Sequence, residues 1–363
     1  MAEKPLTFRE NYLRAVRRKN PQWVPFDSGM SPGFLKTFRR HFGENAEVCE
    51  TLKYDGRWIG LDPTRRPAPD WRKLYYADGS LPEEARIDGE WGTAFVYHEA
   101  TDDQRDYFPL RDIRTAEEVD AYPWPDLGEP YRIEGLIAKI RKAHEDGYAV
   151  HTGGVPSCFE GVWNLRGFEQ LMVDMASDDP VARRLFERMR EISVKAAENV
   201  ARSGADVMVY GADVATQRGP LMSRGMWREY IFPVMRDAIR AARKINPDII
   251  VDYHSCGDVS TLVEDFLEAG IDVLNPCQPE AMDIFELKRR YGKVLSFHGG
   301  IGVQSVLPRG TPDEVKAMAR KTIGIMGADG GGYVCSASHM LRPEIPWENF
   351  MALLEAVREF GHP

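Results

Sequence analysis

The sequence predicts an α/β fold, a (β/α)8 TIM barrel with an N-terminal elaboration. After about residue 130, short apolar runs alternate with longer segments of helical periodicity. That rhythm is the signature of parallel strands joined by right-handed crossovers. Two earlier apolar segments, QWVPFD and YDGRWIG, bring the strand count to eight. A doubly wound open sheet is the other arrangement such alternation allows. However, no G-x-G-x-x-G or G-x-x-x-x-G-K-S/T follows any strand, so dinucleotide and P-loop readings lose support.

The elements follow in order. About the first 20 residues read as a helix with Phe8, Leu13 and Val16 on one face, closed by Pro21 and Pro25. From about 60 to 130 the chain is rich in Pro, Gly and Trp, which predicts irregular structure with a small antiparallel hairpin around GEWGTAFVYHEA. Strands are then expected at 148–152, 205–211, 248–254, 271–276, 293–299 and 331–337. Helices are expected at about 180–203, 225–244, 259–269, 282–291, 312–326 and 347–360. Asp283 and Thr311-Pro312 are start signals for two of them. The expectation is one barrel domain over 1–363, with elaboration and first strands to about 130 and the main βα repeats from about 145.

Composition narrows the function. The 363 residues carry 47 basic and 56 acidic side chains, a net charge of −9, which argues against nucleic acid as a partner. No apolar run reaches membrane-spanning length, and the N-terminus has no apolar signal core, so a cytoplasmic location without a membrane partner is expected. Five scattered cysteines do not make a disulfide framework and suit a reducing compartment.

In a barrel, catalytic groups sit where strands end. Here those ends carry His151 and Thr152, Asp213 with Gln217, His254 and Cys256, Asn275 with Cys277 and Gln278, His298, and Cys335 with His339. Any one of these alone is more often a satisfied polar residue or a core thiol. Six strands presenting reactive types at one face is the stronger signal. In His254-x-Cys256, residues two apart on a strand share a face, so imidazole and thiolate can share one zinc ion. A third ligand is expected from another strand end: Cys335 first, Cys277 behind it. The alternative makes Cys256 a buried thiol and His254 a substrate contact. Asp252 and Asp258 are candidates for orienting the imidazole; Asp258 reads better as a cap for the following helix. Asp213 reads as a substrate-binding or proton-transferring carboxylate, or as a loop organiser. Glu160 reads as a further ligand or base, or as a first-turn helix acid. Asp55 and Arg57 read as a pair projecting from an early strand toward substrate, or as a structural ion pair. Arg166 reads equally as a helix surface residue or an anion clamp.

These residues lie in long segments that resemble the uroporphyrinogen decarboxylase superfamily. GADVATQRGPLMSRGMWREYIFPVMR, YHSCGDVSTLVEDFLEAGIDVLNPCQPEAMDIFELKRRYG and LSFHGGIGVQSVLPRGTPDEV carry the resemblance, with FEGVWNLRGFEQLMVDM and KYDGRWIGLD in support. It implies a barrel with a deep cleft at the C-terminal strand ends. Uroporphyrinogen decarboxylases themselves are metal-free. They carry an arginine-rich segment resembling F-M-R-Q-A-G-R-Y and an Asp in a segment resembling F-S-D-I. VPFDSGMSPGFLKTF and LKYDGRW stand there instead, without those arginines. The resemblance is nearer to the zinc methyltransferases of corrinoid-dependent one-carbon metabolism, whose metal pattern is H-x-C with a distant Cys, matched by His254, Cys256 and Cys335.

The resemblance implies methyl transfer between a small methylated substrate or thiol and a corrinoid, for example O-demethylation of a methoxy compound. Asp213 and His298 would be catalytic, and Gln217, Asn275 and His339 would bind substrate. The chain has no D-x-H-x-x-G cobalamin motif, so the corrinoid is expected on a partner protein docking over the barrel mouth; a homodimer is a further expectation. The alternative is a metal-free decarboxylase acting on a tetrapyrrole or another carboxylic acid, with Asp213 or His254 as proton donor. A third reading is a barrel that binds a tetrapyrrole or corrinoid without turnover.

Overall fold

In the computed structural model, the described residues are 4–75, 81–98 and 103–362. Seven parallel strands form one curled sheet: Gly56–Trp58, Ala149–Thr152, Val207–Gly211, Ile250–His254, Val273–Asn275, Ser296–Ile301 and Tyr333–Ala337, adjacent in that order. Each lies inside or within two residues of its expected segment. QWVPFD is the exception. It supplies one parallel bridge, Phe26 to Cys335, rather than a strand. Pro25 has no N–H to donate, and this keeps the ladder short. The bridge still closes the ring: the Cys335 amide donates to the Pro25 carbonyl at 2.9 Å, and the Asp55 amide approaches the Phe26 carbonyl at 3.4 Å.

Side-chain parity divides the ring into two faces. Ala149, Val207, Ile250, Val273 and Val334 point inward at the N-terminal end, where Tyr12 and Val16 of the helix Phe8–Val16 pack against them. That helix starts at a capping box between Thr7 and Glu10 and plugs the base of the barrel. The alternate residues, among them Val150, Met208, Val251, Leu274, Phe297 and Cys335, face outward into the core under the surrounding helices.

The helices Pro32–Phe42, Glu134–Glu145 and Phe168–Ala176 are not among those the sequence predicts; the six expected late helices form, with two informative departures. The 225–244 segment is two helices, Arg224–Tyr230 and Phe232–Ile245. Pro233 lies in the first turn of the second, where its missing N–H costs nothing, and it restarts rather than continues the helix. The 259–269 segment opens with a 3-10 turn, Ser260–Leu262, before the helix Val263–Ala269. The elaboration contains a three-stranded antiparallel sheet, Arg86–Ile87, Ala94–His98 and Asp103–Tyr107. Residues 99 and 100 of the expected hairpin lie outside the described residues. Among the described residues, no helix is long and apolar enough to cross a membrane.

Two predicted site residues turn out to hold the scaffold. Asp55 is buried and accepts from Trp23 Nε1 at 2.6 Å and from the Phe26 amide at 2.9 Å, so it pins the incomplete eighth stave to the first strand. Burial pushes its carboxyl up to about 7 against those two bonds. Arg57 has the opposite parity from Trp58, which lines the cleft. It pairs with Glu50 at 2.7 Å and stacks over Tyr148, and neither Asp55 nor Arg57 lines the cleft described below. Arg166 is buried and is no anion clamp: it donates to the carbonyls of Leu110, Arg111 and Ile113 and pairs with Asp174.

Candidate metal centre and cleft

The C-terminal ends of two adjacent inner strands build the centre. His254 is the last residue of Ile250–His254, and the chain turns at once into Cys256. Asp213 lies in the loop after Val207–Gly211. One ligand atom each from Asp213, His254 and Cys256 lies within 4.8 Å of the others, and all three side chains are half-buried. Cys256 Sγ is 3.5 Å from His254 Nε2, which is 3.7 Å from Asp213 Oδ1. Among the described residues, this is the grouping of His, Cys, Asp and Glu with a geometry that suits a metal ion.

Neighbours fix the three. His254 Nδ1 donates to Asn275 Oδ1 at 2.5 Å, which leaves the Nε2 lone pair facing Cys256 and Asp213. Asp213 Oδ1 accepts from the Cys256 amide at 2.8 Å, and the Asp213 amide donates to Glu160 Oε2 at 3.2 Å. Glu160 thus opens the helix Glu160–Arg166 and braces the Asp213 loop from behind. Burial pushes the Cys256 thiol up to about 12, with Asp213 and Glu160 adding to it; a bound cation reverses that balance. Nitrogen, sulfur and oxygen donors at these separations fit zinc.

The other expected ligands do not join them. Cys335 has outward parity, is fully buried under the helices, and its thiol is raised to about 12 by that burial. Its inward neighbours are Val334 and Ser336. Cys277 is also fully buried in the outer core, where its thiol donates to the Leu274 carbonyl at 3.1 Å. Asp258 accepts from the Ser260 amide at 3.0 Å and caps the following turn. Asp252 orients His298, not His254.

His298 lies deeper in the barrel between two buried carboxylates. Its Nδ1 donates to Asp252 Oδ2 and its Nε2 to Asp27 Oδ1, both at 2.8 Å. Burial alone lowers its basicity, but the two carboxylates outweigh burial and raise it to about 10, so the ring is an imidazolium. Asp27, opposed by burial, is held below the usual carboxylate range by that cation. Asp27 is the functional-looking residue the sequence reading missed. It ends QWVPFD, a segment whose parity is unreadable from one bridge.

The cleft has two lobes that meet at the centre. One, about 360 Å³, is lined by Cys256, Gln217, Gln278, Gln304, His339 and Arg342. The other, about 440 Å³, runs from His254 and Asn275 down to Asp252, His298 and Asp27, with Trp58 as a wall. His339 and Met340 border both. The ring centroids of His254 and His339 are 6.5 Å apart.

Residues 107–360 match the family model described as uroporphyrinogen decarboxylase (URO-D). The chain belongs to the URO-D family. A methylated-thiol–coenzyme M methyltransferase from Methanosarcina mazei is 27% identical over 245 residues, 66% of this chain and 62% of that relative. The match therefore spans less than two thirds of that relative's length. A uroporphyrinogen decarboxylase from Anaeromyxobacter dehalogenans is 26% identical over 260 residues, 69% of this chain and 70% of the relative. Among solved structures, a methyltransferase from Methanosarcina mazei superposes with a TM-score of 0.68 at 16% identity, covering 98% of this chain and 99% of that one. The family and this superposition establish the barrel fold.

Proposed function

We propose that this chain is a zinc-dependent methyltransferase that moves a methyl group between a small methylated substrate or thiol and a corrinoid carried by a partner protein. The convergence of Asp213, His254 and Cys256, with His254 locked by Asn275, carries the proposal. Zinc, when bound, supplies the positive charge that stabilises a thiolate or polarises a departing oxygen, and the corrinoid supplies the methyl-carrying chemistry. The residues do the rest. Asn275 keeps the His254 proton on Nδ1, so Nε2 remains a ligand. Asp213 fixes the Cys256 backbone and offers a third donor oxygen. Gln217 and His339 line the lobe beside Cys256 and position the small molecule there. Trp58 and Met340 are exposed beside the cleft and offer an apolar rim for the partner.

The decarboxylase alternative fits less well. A substrate bearing many carboxylates needs several cationic side chains, and among the described residues lining the two lobes the only lysine or arginine is Arg342, in the lobe beside Cys256. The methyltransferase relative supports the same choice.

The test is methyl transfer from free methylcobalamin to a small thiol, with the protein loaded with zinc and the loss of the methylcobalamin visible band followed. Turnover that depends on zinc and is lost in Cys256→Ser is expected. Turnover that survives complete zinc removal, or release of carbon dioxide from a carboxylic acid by the metal-free chain, overturns the proposal.

A further inference from the structure

Asp213, His254 and Cys256 come from two adjacent strand ends and offer three donors. A tetrahedral ion takes four. Across the mouth stands the end of Tyr333–Ala337, three strands away in the ring, and its Cys335 is turned outward. The chain leaving that strand carries a second residue of ligand type. His339 lies two residues beyond Ala337, and its ring centroid is 6.5 Å from that of His254. It borders both lobes, the one that holds Cys256 and the one that holds His254.

The backbone around His339 is pinned. The Ser338 amide donates to the Ile301 carbonyl at 2.7 Å, the Leu341 amide to the Gly29 carbonyl at 2.8 Å, and the Ser31 amide to the Leu341 carbonyl at 2.9 Å. The half-buried ring between these anchors is not tied. Among the described residues no hydrogen bond or ion pair engages it, and neither ring nitrogen is enclosed by protein. Two imidazoles that share a tetrahedral zinc hold their ring centroids about 5 Å apart. His339 therefore has only about 1–2 Å to advance. The carboxamides of Gln217, Gln278 and Gln304, which share the lobe beside Cys256, are not donors that zinc selects.

We propose that His339 is a fourth, exchangeable ligand of the metal centre. At rest, Asp213, His254, Cys256 and His339 close the site with protein donors. The small thiol or ether takes the His339 position when it binds, and the released ring stays in the lobe beside it. For a thiol, the metal–nitrogen bond to His339 breaks as the metal–sulfur bond forms; the S–H bond breaks and its proton passes to solvent. This rests on the reading of the centre as the zinc site of a methyltransferase, and it gives His339 a metal-binding role besides contact with substrate.

The experiment compares the full chain with its His339→Ala and His339→Gln variants; the second serves should the first not fold. Zinc affinity is read by competition with a chelator. Coordination is read from the visible bands of the cobalt(II)-loaded chain, which is then titrated with 2-mercaptoethanol. Both variants are expected to lose at least about tenfold in zinc affinity and to change the resting cobalt spectrum. They are expected to bind 2-mercaptoethanol at least about threefold tighter than the wild type, because no protein ligand has to leave. A residue that only touches substrate would act the other way, with metal affinity intact and thiol binding weakened. That result, or variants that match the wild type in zinc affinity and resting spectrum, overturns the inference and leaves the methyltransferase reading in place. If the wild type takes up neither zinc nor cobalt, both fall together.

Discussion

Two strand ends with similar residue types reach opposite outcomes. Ile250–His254 delivers His254 and Cys256 into the cleft, whereas Tyr333–Ala337 turns Cys335 away from it. Both ends look chemical in the sequence. The difference is one residue of register: His254 shares parity with the inward Ile250, and Cys335 is one step out of phase with the inward Val334. A strand places alternate side chains on opposite faces, so residue type proposes a ligand and parity decides whether it can serve. The inward set forms charged, half-buried or partner-locked groups. The outward thiols, Cys277 and Cys335, are enclosed in the core under the helices.

Four measurements break or sharpen this contrast, from the largest expected effect to the smallest. His298→Gln should destabilise the chain by roughly 3–5 kcal/mol in urea unfolding, because it leaves two buried carboxylates without their cation. The pH dependence follows from the raised basicity of His298. The folded imidazolium titrates at about 10, above its ordinary 6.5. Its stabilisation is therefore complete below about 6.5 and is lost as pH rises toward about 10. Unfolding midpoints should fall across that window in the wild type and run flatter in the variant; parallel profiles would show that the triad is not charged as described.

Asn275→Ala should weaken zinc binding by roughly 10–100-fold in competition with a chelator, since it frees the His254 tautomer without removing a ligand. Unchanged affinity would mean that the Asn275 contact does not set the ligand nitrogen. Cys335→Ala should cost only about 1–2 kcal/mol, the loss of a small buried group. The fourth measurement, of zinc content, is taken up last.

Much of this was legible in the sequence. The strand–helix rhythm was readable because its two periods differ, and all six late strands fell where the apolar runs predicted. The pairing of His254 with Cys256 was readable from a spacing of two. Asp213 was visible as a carboxylate at a strand end, though not as a neighbour of both. What could not be read came from long-range closure. The proline-interrupted QWVPFD segment makes a single bridge, so the arrival of Asp27 beside His298 leaves no periodic trace. Asp55 was a candidate for chemistry, yet it serves that same closure by holding Phe26. The spacing of two predicts Asp252 as a partner for His254, because the two share a face. It instead reaches across to His298, and Asn275 Oδ1 from the neighbouring strand accepts the hydrogen bond from His254 Nδ1. These are contacts between strands, which spacing along one strand does not encode.

Strand parity, and not cysteine content, decides which thiol can join the candidate metal centre. Zinc per chain after purification without chelator tests it most directly, compared among wild type, Cys256→Ser and Cys335→Ala. About one zinc is expected in the wild type and in Cys335→Ala and a clear loss in Cys256→Ser, in keeping with a single catalytic-type site. Loss of zinc in Cys335→Ala with retention in Cys256→Ser would contradict it.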